Sequence, residues 1–126
     1  MRKVISTSEA PAAIGPYSQA IQLGSTLYSS GQIAIDPQTN EVLRVDVKGQ
    51  TEQVMKNIKG VLGAAGMDFS HVIKTTIFLT DMNDFAVVNE VYGKCFVGEP
   101  PARSTVAVAA LPKGVNVEIE IIAHRG

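Results

Sequence analysis

EPPARSTVAVAALPKGVNVEIEII, residues 99–122, sets one arginine and two alternating carboxylates into otherwise apolar, strand-like sequence. Pro101 fixes the backbone just ahead of Arg103, and the small and β-branched residues Ser104, Thr105, Val106, Ala107 and Val108 predict a buried strand. Beyond the LPKG turn, Val117, Ile119 and Ile121 alternate with Glu118 and Glu120. Side chains of a strand point to opposite faces in turn, so the aliphatics share a core face and both carboxylates share the other. That other face is either solvated or borders a cleft shared with Arg103. An arginine in such a setting needs an anion, which is either one of these carboxylates in a structural ion pair or a ligand.

The segments on the N-terminal side have recognisable periods. Residues 2–6 are a short strand candidate. APAAIGPYSQA, residues 10–20, carries Pro11, Gly15 and Pro16 and reads as a rigid loop presenting Tyr17 and Ser18. Residues 19–23 and 27–33 fit two antiparallel strands around a Gly24-Ser25 hairpin turn. Gly31 inside the second strand marks a bulge, a strand end, or a place where a ligand comes close. Pro37 and Asn40 make a turn of residues 36–42. Residues 46–66 predict a helix, with Val47, Thr51, Val54, Ile58, Val61, Leu62 and Ala65 on one side, Asp46 as N-cap and Gly66 as left-handed C-terminal cap. Gly60 and Gly63 lower its propensity and suggest close packing at both positions. Residues 72–80 form a further strand, and Asp81 or Asn83 caps a second helix with Phe85, Val88, Tyr92 and Phe96 on its apolar side.

The order strand, strand, strand, helix, strand, helix, strand, strand is that of an α+β fold with crossover helices, some parallel pairing, and both helices on one face of the sheet. Two short helices cannot cover Ile5, Ile33, Ile77, Leu79, Val106 and Val108 together, so a homo-oligomer is expected, with ligand sites between protomers.

The 126 residues make one domain, 1–126, large enough to bury a core without staples. A single cysteine, Cys95, rules out an internal disulfide framework and leaves the cytoplasm as the expected location. No run approaches the apolar length of a membrane span. The formal net charge is −1 with scattered lysines and arginines, which gives no footprint for nucleic acid. His71 and His124 stand apart with no acidic or cysteine ligands at metal-binding spacing, so no metal is expected. No Gly-x-Ser-x-Gly elbow surrounds Ser29, Ser30 or Ser104, and no glycine-rich phosphate loop occurs. The chemistry left is one arginine, one or two strand carboxylates and backbone groups near a glycine.

PARSTVAVAALPKGVNVEIEI resembles the signature of the reactive intermediate deaminase family, the 2-iminobutanoate/2-iminopropanoate deaminases. AAIGPYSQA, SSGQIAID, the AAG helix end, VIKTTIFLTDMNDF and VNEVYGKCF extend the resemblance over nearly the whole chain. It implies a mixed six-stranded sheet with two helices on one face, similar to chorismate mutase of the bacillus type, assembled as a trimeric barrel. It also implies that 117–123 lies between 27–33 and 72–80, whereas local reading would pair the last two strands as a hairpin. By resemblance, Arg103 grips a substrate carboxylate and Glu118 activates the water that attacks a C=N carbon. Tyr17, Ser30, Gly31, Asn89 and Thr105 match positions lining the pocket, with Tyr17 and Asn89 implied to come from a neighbouring subunit. The implied reaction is hydrolysis of a 2-imino acid to a 2-oxo acid and ammonia without a cofactor, which removes imines and enamines that damage pyridoxal-phosphate enzymes. Pro100 stands where the family often has an aromatic residue, and Thr105 where it often has cysteine; both bear on pocket size. Relatives of this pattern include an aminoacrylate deaminase, chaperone-like binding proteins and translation inhibitors with ribonuclease activity.

Overall fold

The computed structural model describes residues 1–126. Its strands are β1 (Arg2–Ile5), β2 (Ala20–Leu23), β3 (Thr26–Ser29), the two-residue β4 (Ile35–Asp36) and β5 (Glu41–Val42), β6 (Val72–Leu79), β7 (Ala102–Ala107) and β8 (Val117–His124). The helices are α1 (Val47–Ala64) and α2 (Phe85–Gly93). Six strands form one sheet in the order β1-β2-β3-β8-β6-β7, while β4 and β5 make a separate ribbon. The last strand is thus inserted between β3 and β6, as the family resemblance implies and local hairpin pairing does not. Only β6 and β7 are parallel, joined by the crossover through α2.

Alternation in β8 carries the core. Val117, Ile119, Ile121 and Ala123 are buried, while Glu118 is half-buried and Glu120 exposed on the opposite face. Both helices lie over the buried side, where Val54, Ile58, Val61 and Leu62 of α1 and Val88 and Tyr92 of α2 close the cluster. Side chains such as Leu27, Ile58, Leu62, Ile77, Leu79 and Ile119 are almost wholly removed from water. Each contributes about 1.5–3 kcal/mol by that burial. The Asp46 carboxylate accepts the Gly49 amide at 2.9 Å, and Gly66 takes φ +70° just past α1, so both expected caps are present.

The two helices do not cover every apolar strand residue: Ile5, Ile77 and Leu79 lie beneath them, whereas Val106 is 43% exposed. Three expectations are corrected. The strand that opens at Arg103 is not buried: β7 is the sheet's edge, with Ala102, Ser104, Val106 and Ala107 exposed. Gly63 has nothing within 4 Å of where a side chain would begin, so only Gly60, pressed against the Glu9 backbone, has a packing reason. The strand expected over 27–33 stops at Ser29. There the Ser29 hydroxyl accepts the Ile121 amide at 3.0 Å, and the chain rejoins the ladder through reciprocal Gln32 and Ile119 bonds of 2.8 and 3.1 Å. Ser30 and Gly31 are left out of the pairing, with Gly31 against the Glu118 carboxylate of β8.

Candidate functional site

Arg103 pairs in register with Thr75, whose neighbours Ile77 and Leu79 are buried under the helices. Its side chain therefore leaves the edge strand on the helix side and meets α2. Phe85, Asn89 and Tyr92, spaced four and three apart, share one face of that helix. The Arg103 Nη1 donates to Asn89 Oδ1 at 2.5 Å, and the guanidinium carbon lies 5.4 Å from the Phe85 ring centre and 5.2 Å from that of Tyr92. Tyr92 is in turn tied to the sheet by a 2.7 Å bond between its hydroxyl and Thr75 Oγ1. Burial pushes the Tyr92 phenol up from its ordinary pKa, against the opposing pull of the Thr75 bond and the Arg103 charge. Two residues along the same face of β7, the Thr105 Oγ1 is buried without a hydrogen-bond partner.

The ion pairs of the chain are His71 with Asp68 and Lys94 with Glu90. Arg103 has no carboxylate partner, so the structural ion pair with Glu118 or Glu120 does not exist within the chain. The cause is the register. Glu118 pairs with Phe78, one residue out of phase with Ile77, and so projects from the face opposite the helices.

Around Glu118 a second group assembles. A Cβ built on Gly31 would fall within the Glu118 carboxylate, 2.8 Å from its Cδ, so the bare glycine backbone is what lets that carboxylate sit there. Burial, and then the like charge of Glu120, push the Glu118 pKa above the ordinary carboxylate value. Next in the chain, the Ser30 hydroxyl donates to the Ser18 carbonyl at 2.6 Å and the Ser30 amide to the Gln19 carbonyl at 2.9 Å. These bonds hold the 10–19 loop, where Gly15 takes φ +116° and Tyr17 is exposed. Tyr17 and Ser30 line a cavity of about 500 Å³ together with Arg2, Tyr28 and Ser29.

The seven residues singled out in the sequence thus fall into two groups: Arg103, Asn89 and Thr105 with α2, and Glu118, Gly31, Ser30 and Tyr17 on the other side. Asn89 keeps company with Arg103 of its own chain and not with Tyr17, which corrects their joint assignment to a neighbour. Sequence reading missed three contributors. Gln19 is buried, and its amide accepts the Thr7 amide at 2.7 Å and donates to the carbonyls of Thr7, Ala10 and Pro11 at 3.0, 3.2 and 2.7 Å, which shapes the Tyr17 loop. Phe85 and Tyr92 were legible only as an apolar helix face. The signal was their spacing with Asn89, but nothing local says that an arginine lies over them.

The remaining polar candidates are occupied elsewhere. His71 closes a capping box with Asp68, and His124 bonds Thr26 at 3.0 Å. Burial raises the pKa of the Cys95 thiol, which disfavours the reactive thiolate. No three His, Cys, Asp or Glu side chains converge, and no helix is long and apolar enough to cross a membrane.

Comparison with known proteins adds a family to this geometry. Protein DfrA of Myxococcus xanthus is 59% identical over 97% of this chain and 95% of its own length. The 2-iminobutanoate/2-iminopropanoate deaminase of Mus musculus is 53% identical over 100% of this chain and 93% of its own. Among solved structures, YyfA of Yersinia pestis, described as a protein of unknown function of the conserved Rid family, superposes with a TM-score of 0.97. It is 52% identical and covers 99% of this chain and 100% of its own. E. coli TdcF, solved with bound serine, has a TM-score of 0.94 at 48% identity over 98% and 99% of the two chains. Residues 7–125 match the family model described as Endoribonuclease L-PSP, and with relatives this similar along its length the chain belongs to that family, among the Rid proteins and 2-iminobutanoate/2-iminopropanoate deaminases.

Proposed function

We propose that this protein hydrolyses 2-imino acids, such as 2-iminobutanoate and 2-iminopropanoate and their enamine tautomers, to 2-oxo acids and ammonia. The observation that carries this reading is that Arg103 is held in place yet has no carboxylate of its own. It is fixed by a neutral amide and two aromatic rings, so its charge and most of its donors are free for an external carboxylate. Relatives named for this reaction, and one that holds serine, a small amino acid with the same carboxylate, support it.

Chemistry at the second group follows from Glu118. A carboxylate with raised pKa is a stronger base than an ordinary one and works nearer to neutral pH. It takes a proton from water as the oxygen attacks the iminium carbon and the C=N electron pair moves onto nitrogen. The proton then passes to the amine of the carbinolamine, the C–N bond breaks, and the hydroxyl proton leaves, giving a 2-oxo acid and ammonium. The iminium is already electrophilic, so no cofactor is required. Ser30 and Gly31 hold the loop and the space beside Glu118, while Tyr17, Asn89 and Thr105 line the remaining walls.

Arg103 and Glu118 cannot both reach one small substrate from a single chain, because they leave opposite faces. A homotrimer that sets the helix-side edge of one protomer against the open face of the next would unite them. That open face carries Val4, Ile21, Tyr28, Phe78, Val106 and Ile122, of which Val4 is 57% exposed and Tyr28 46%. A cytoplasmic location completes the proposal, since free Cys95 needs no oxidising compartment.

A binding module for small 2-oxo or amino acids is the competing reading, and it would need Arg103 but not Glu118. Ammonia release from freshly generated 2-iminobutanoate separates the two. Wild type should exceed the spontaneous rate and Glu118→Gln should not; equal rates for both proteins would leave only binding.

A further inference from the structure

We propose that the face of α2 formed by Phe85, Asn89 and Tyr92 is a rack that fixes the plane of the Arg103 guanidinium, with Phe85 and Tyr92 as positioning residues for carboxylate recognition. This deepens the preceding reading and rests on Arg103 being the carboxylate clamp.

The geometry defines both what is held and what is left free. Arg103 lies on a strand at the edge of the sheet, where a long side chain has many rotamers and little backbone support. Three contacts from one helix face remove that freedom. Two aromatic rings lie 5.4 and 5.2 Å from the guanidinium carbon, and Asn89 Oδ1 accepts from Nη1 at 2.5 Å. An aromatic face attracts a cation and favours a guanidinium plane laid against it, while the amide oxygen sets rotation within that plane. With Nη1 engaged, the Nε and Nη2 donors are unpartnered, and these two form the parallel pair that a carboxylate accepts side-on.

Tyr92 is fixed as firmly as the arginine it carries. It is only 4% exposed, its hydroxyl is bonded to Thr75 Oγ1 at 2.7 Å, and Phe96 packs at 4.8 Å between ring centres. Thr75 is also the residue that pairs with Arg103 across the β6–β7 register. The arginine backbone and the ring beneath its side chain are therefore referred to one residue of the sheet, so α2 cannot shift relative to β7 without breaking the Tyr92–Thr75 bond. That link is absent from a simple core tyrosine, for which a phenylalanine would serve equally.

A rack of this kind acts on the preference for a charged planar carboxylate more than on the chemical step. Phe85→Leu, Tyr92→Phe and Tyr92→Leu are compared with wild type and with Arg103→Lys, all in the full-length assembled protein. Two readouts are used: deamination of 2-iminobutanoate generated in situ, and the ratio of inhibition constants for 2-oxobutanoate and its neutral amide 2-oxobutanamide. Phe85→Leu should raise KM roughly tenfold with kcat within about twofold, and should lower the carboxylate-to-amide ratio by a similar factor. Tyr92→Leu should do the same or more, and Tyr92→Phe should recover much of the loss because it restores the ring. Phe85 is partly exposed, so its variant reports on the rack even if Tyr92→Leu does not fold. Unchanged KM and an unchanged ratio in Phe85→Leu, with Arg103→Lys impaired, overturn the rack and leave the clamp standing. An Arg103→Lys protein as active and as selective as wild type removes the clamp itself, and the rack falls with it.

Discussion

Arg103 and Glu118 leave the same sheet by opposite faces: Arg103 is in register with Thr75 on the helix side, and Glu118 with Phe78 on the open side. The two groups that the proposed hydrolysis needs are therefore within one chain but not within one site, and a composite site between protomers has a distinctive test. Arg103→Ala and Glu118→Gln proteins should each be nearly inactive. Unfolded together and reassembled as mixed trimers, they should recover activity, because some interfaces then join an intact arginine to an intact glutamate. Random mixing makes about a quarter of the interfaces intact, so about a quarter of wild-type activity is expected. Activity no greater than that of the separate variants, in trimers shown to be mixed, would contradict the composite site.

Gly31 offers a test of the Glu118 group that changes no functional side chain's identity. Its φ is not in the left-handed region, so alanine is permitted by the backbone, but the added methyl would overlap the Glu118 carboxylate. Gly31→Ala should fold and assemble while displacing Glu118. Loss of a positioned base costs about 100- to 10,000-fold in kcat, with KM changed less. Full activity in this variant would show that the carboxylate's position does not matter.

The raised pKa of Glu118 couples activity and stability to pH in opposite directions. Its carboxylate is disfavoured by burial and by Glu120, so the folded protein holds the proton more tightly than the unfolded chain does. The favourable contribution is fully present below the ordinary carboxylate pKa and is lost as pH rises through the raised folded value. Wild type should thus lose kcat/KM as pH falls through that value, because the base becomes protonated. Glu118→Gln has no charge to bury. It should match or exceed the wild-type melting temperature at neutral pH, and the difference should shrink as acidity increases. A melting temperature for Glu118→Gln well below wild type at neutral pH would mean that the carboxylate supports the fold.

How much of this was legible in the sequence depends on the range of the interaction involved. The caps of α1, Asp46 and Gly66, are set by bonds within one helical turn, and the alternation of Val117 to Ile121 is set by the pleat alone, so both were readable. The face on which Arg103 emerges depends on the parallel register of β7 with β6, which no local pattern encodes. The same holds for the break at Ser30 and Gly31, where the continuation of the ladder is decided by Ile119 and Ile121 some ninety residues away. Gln19 escaped notice because a glutamine beside a strand carries no signal, although its one side chain bonds three separate residues of the loop before it. Gly60 and Gly63 look alike in the sequence and differ only in what passes over them.

Those two glycines make a paired stability prediction. Gly63 lies inside α1 with open space where a Cβ would be, so Gly63→Ala should stabilise by about 0.5–1 kcal/mol through helix propensity and reduced freedom of the unfolded chain. At Gly60 the same methyl would meet the Glu9 backbone, which cannot rotate away as a side chain could. Gly60→Ala should destabilise by about 1–3 kcal/mol despite the better propensity. Thermal unfolding of both variants checks the contrast, and a common sign would contradict it.

Arg103→Lys separates a carboxylate clamp from a structural cation. Lysine keeps the positive charge but has a compact ammonium on a flexible stem, so it loses the planar pair of donors and the fit against the Phe85 and Tyr92 rings. Because Arg103 has no carboxylate partner in the chain, its replacement strands no buried anion, and the cost should stay near the ~1 kcal/mol of one hydrogen bond and a partly exposed cation–aromatic contact. The variant should remain folded and keep the wild-type assembly state. Deamination should fall by about 100-fold or more, as expected when a charge-assisted bidentate contact to the substrate is replaced by a poorly oriented one. Ligand linkage gives an independent measure: 2-oxobutanoate at 100 times its Kd should stabilise wild type by about 2.7 kcal/mol, visible as a rise in melting temperature, and the same concentration should do little for Arg103→Lys. A variant that keeps both near-normal turnover and the ligand-induced shift would show that recognition of the carboxylate lies elsewhere. One that melts far below wild type, while its folded fraction works normally, would show that Arg103 serves the fold.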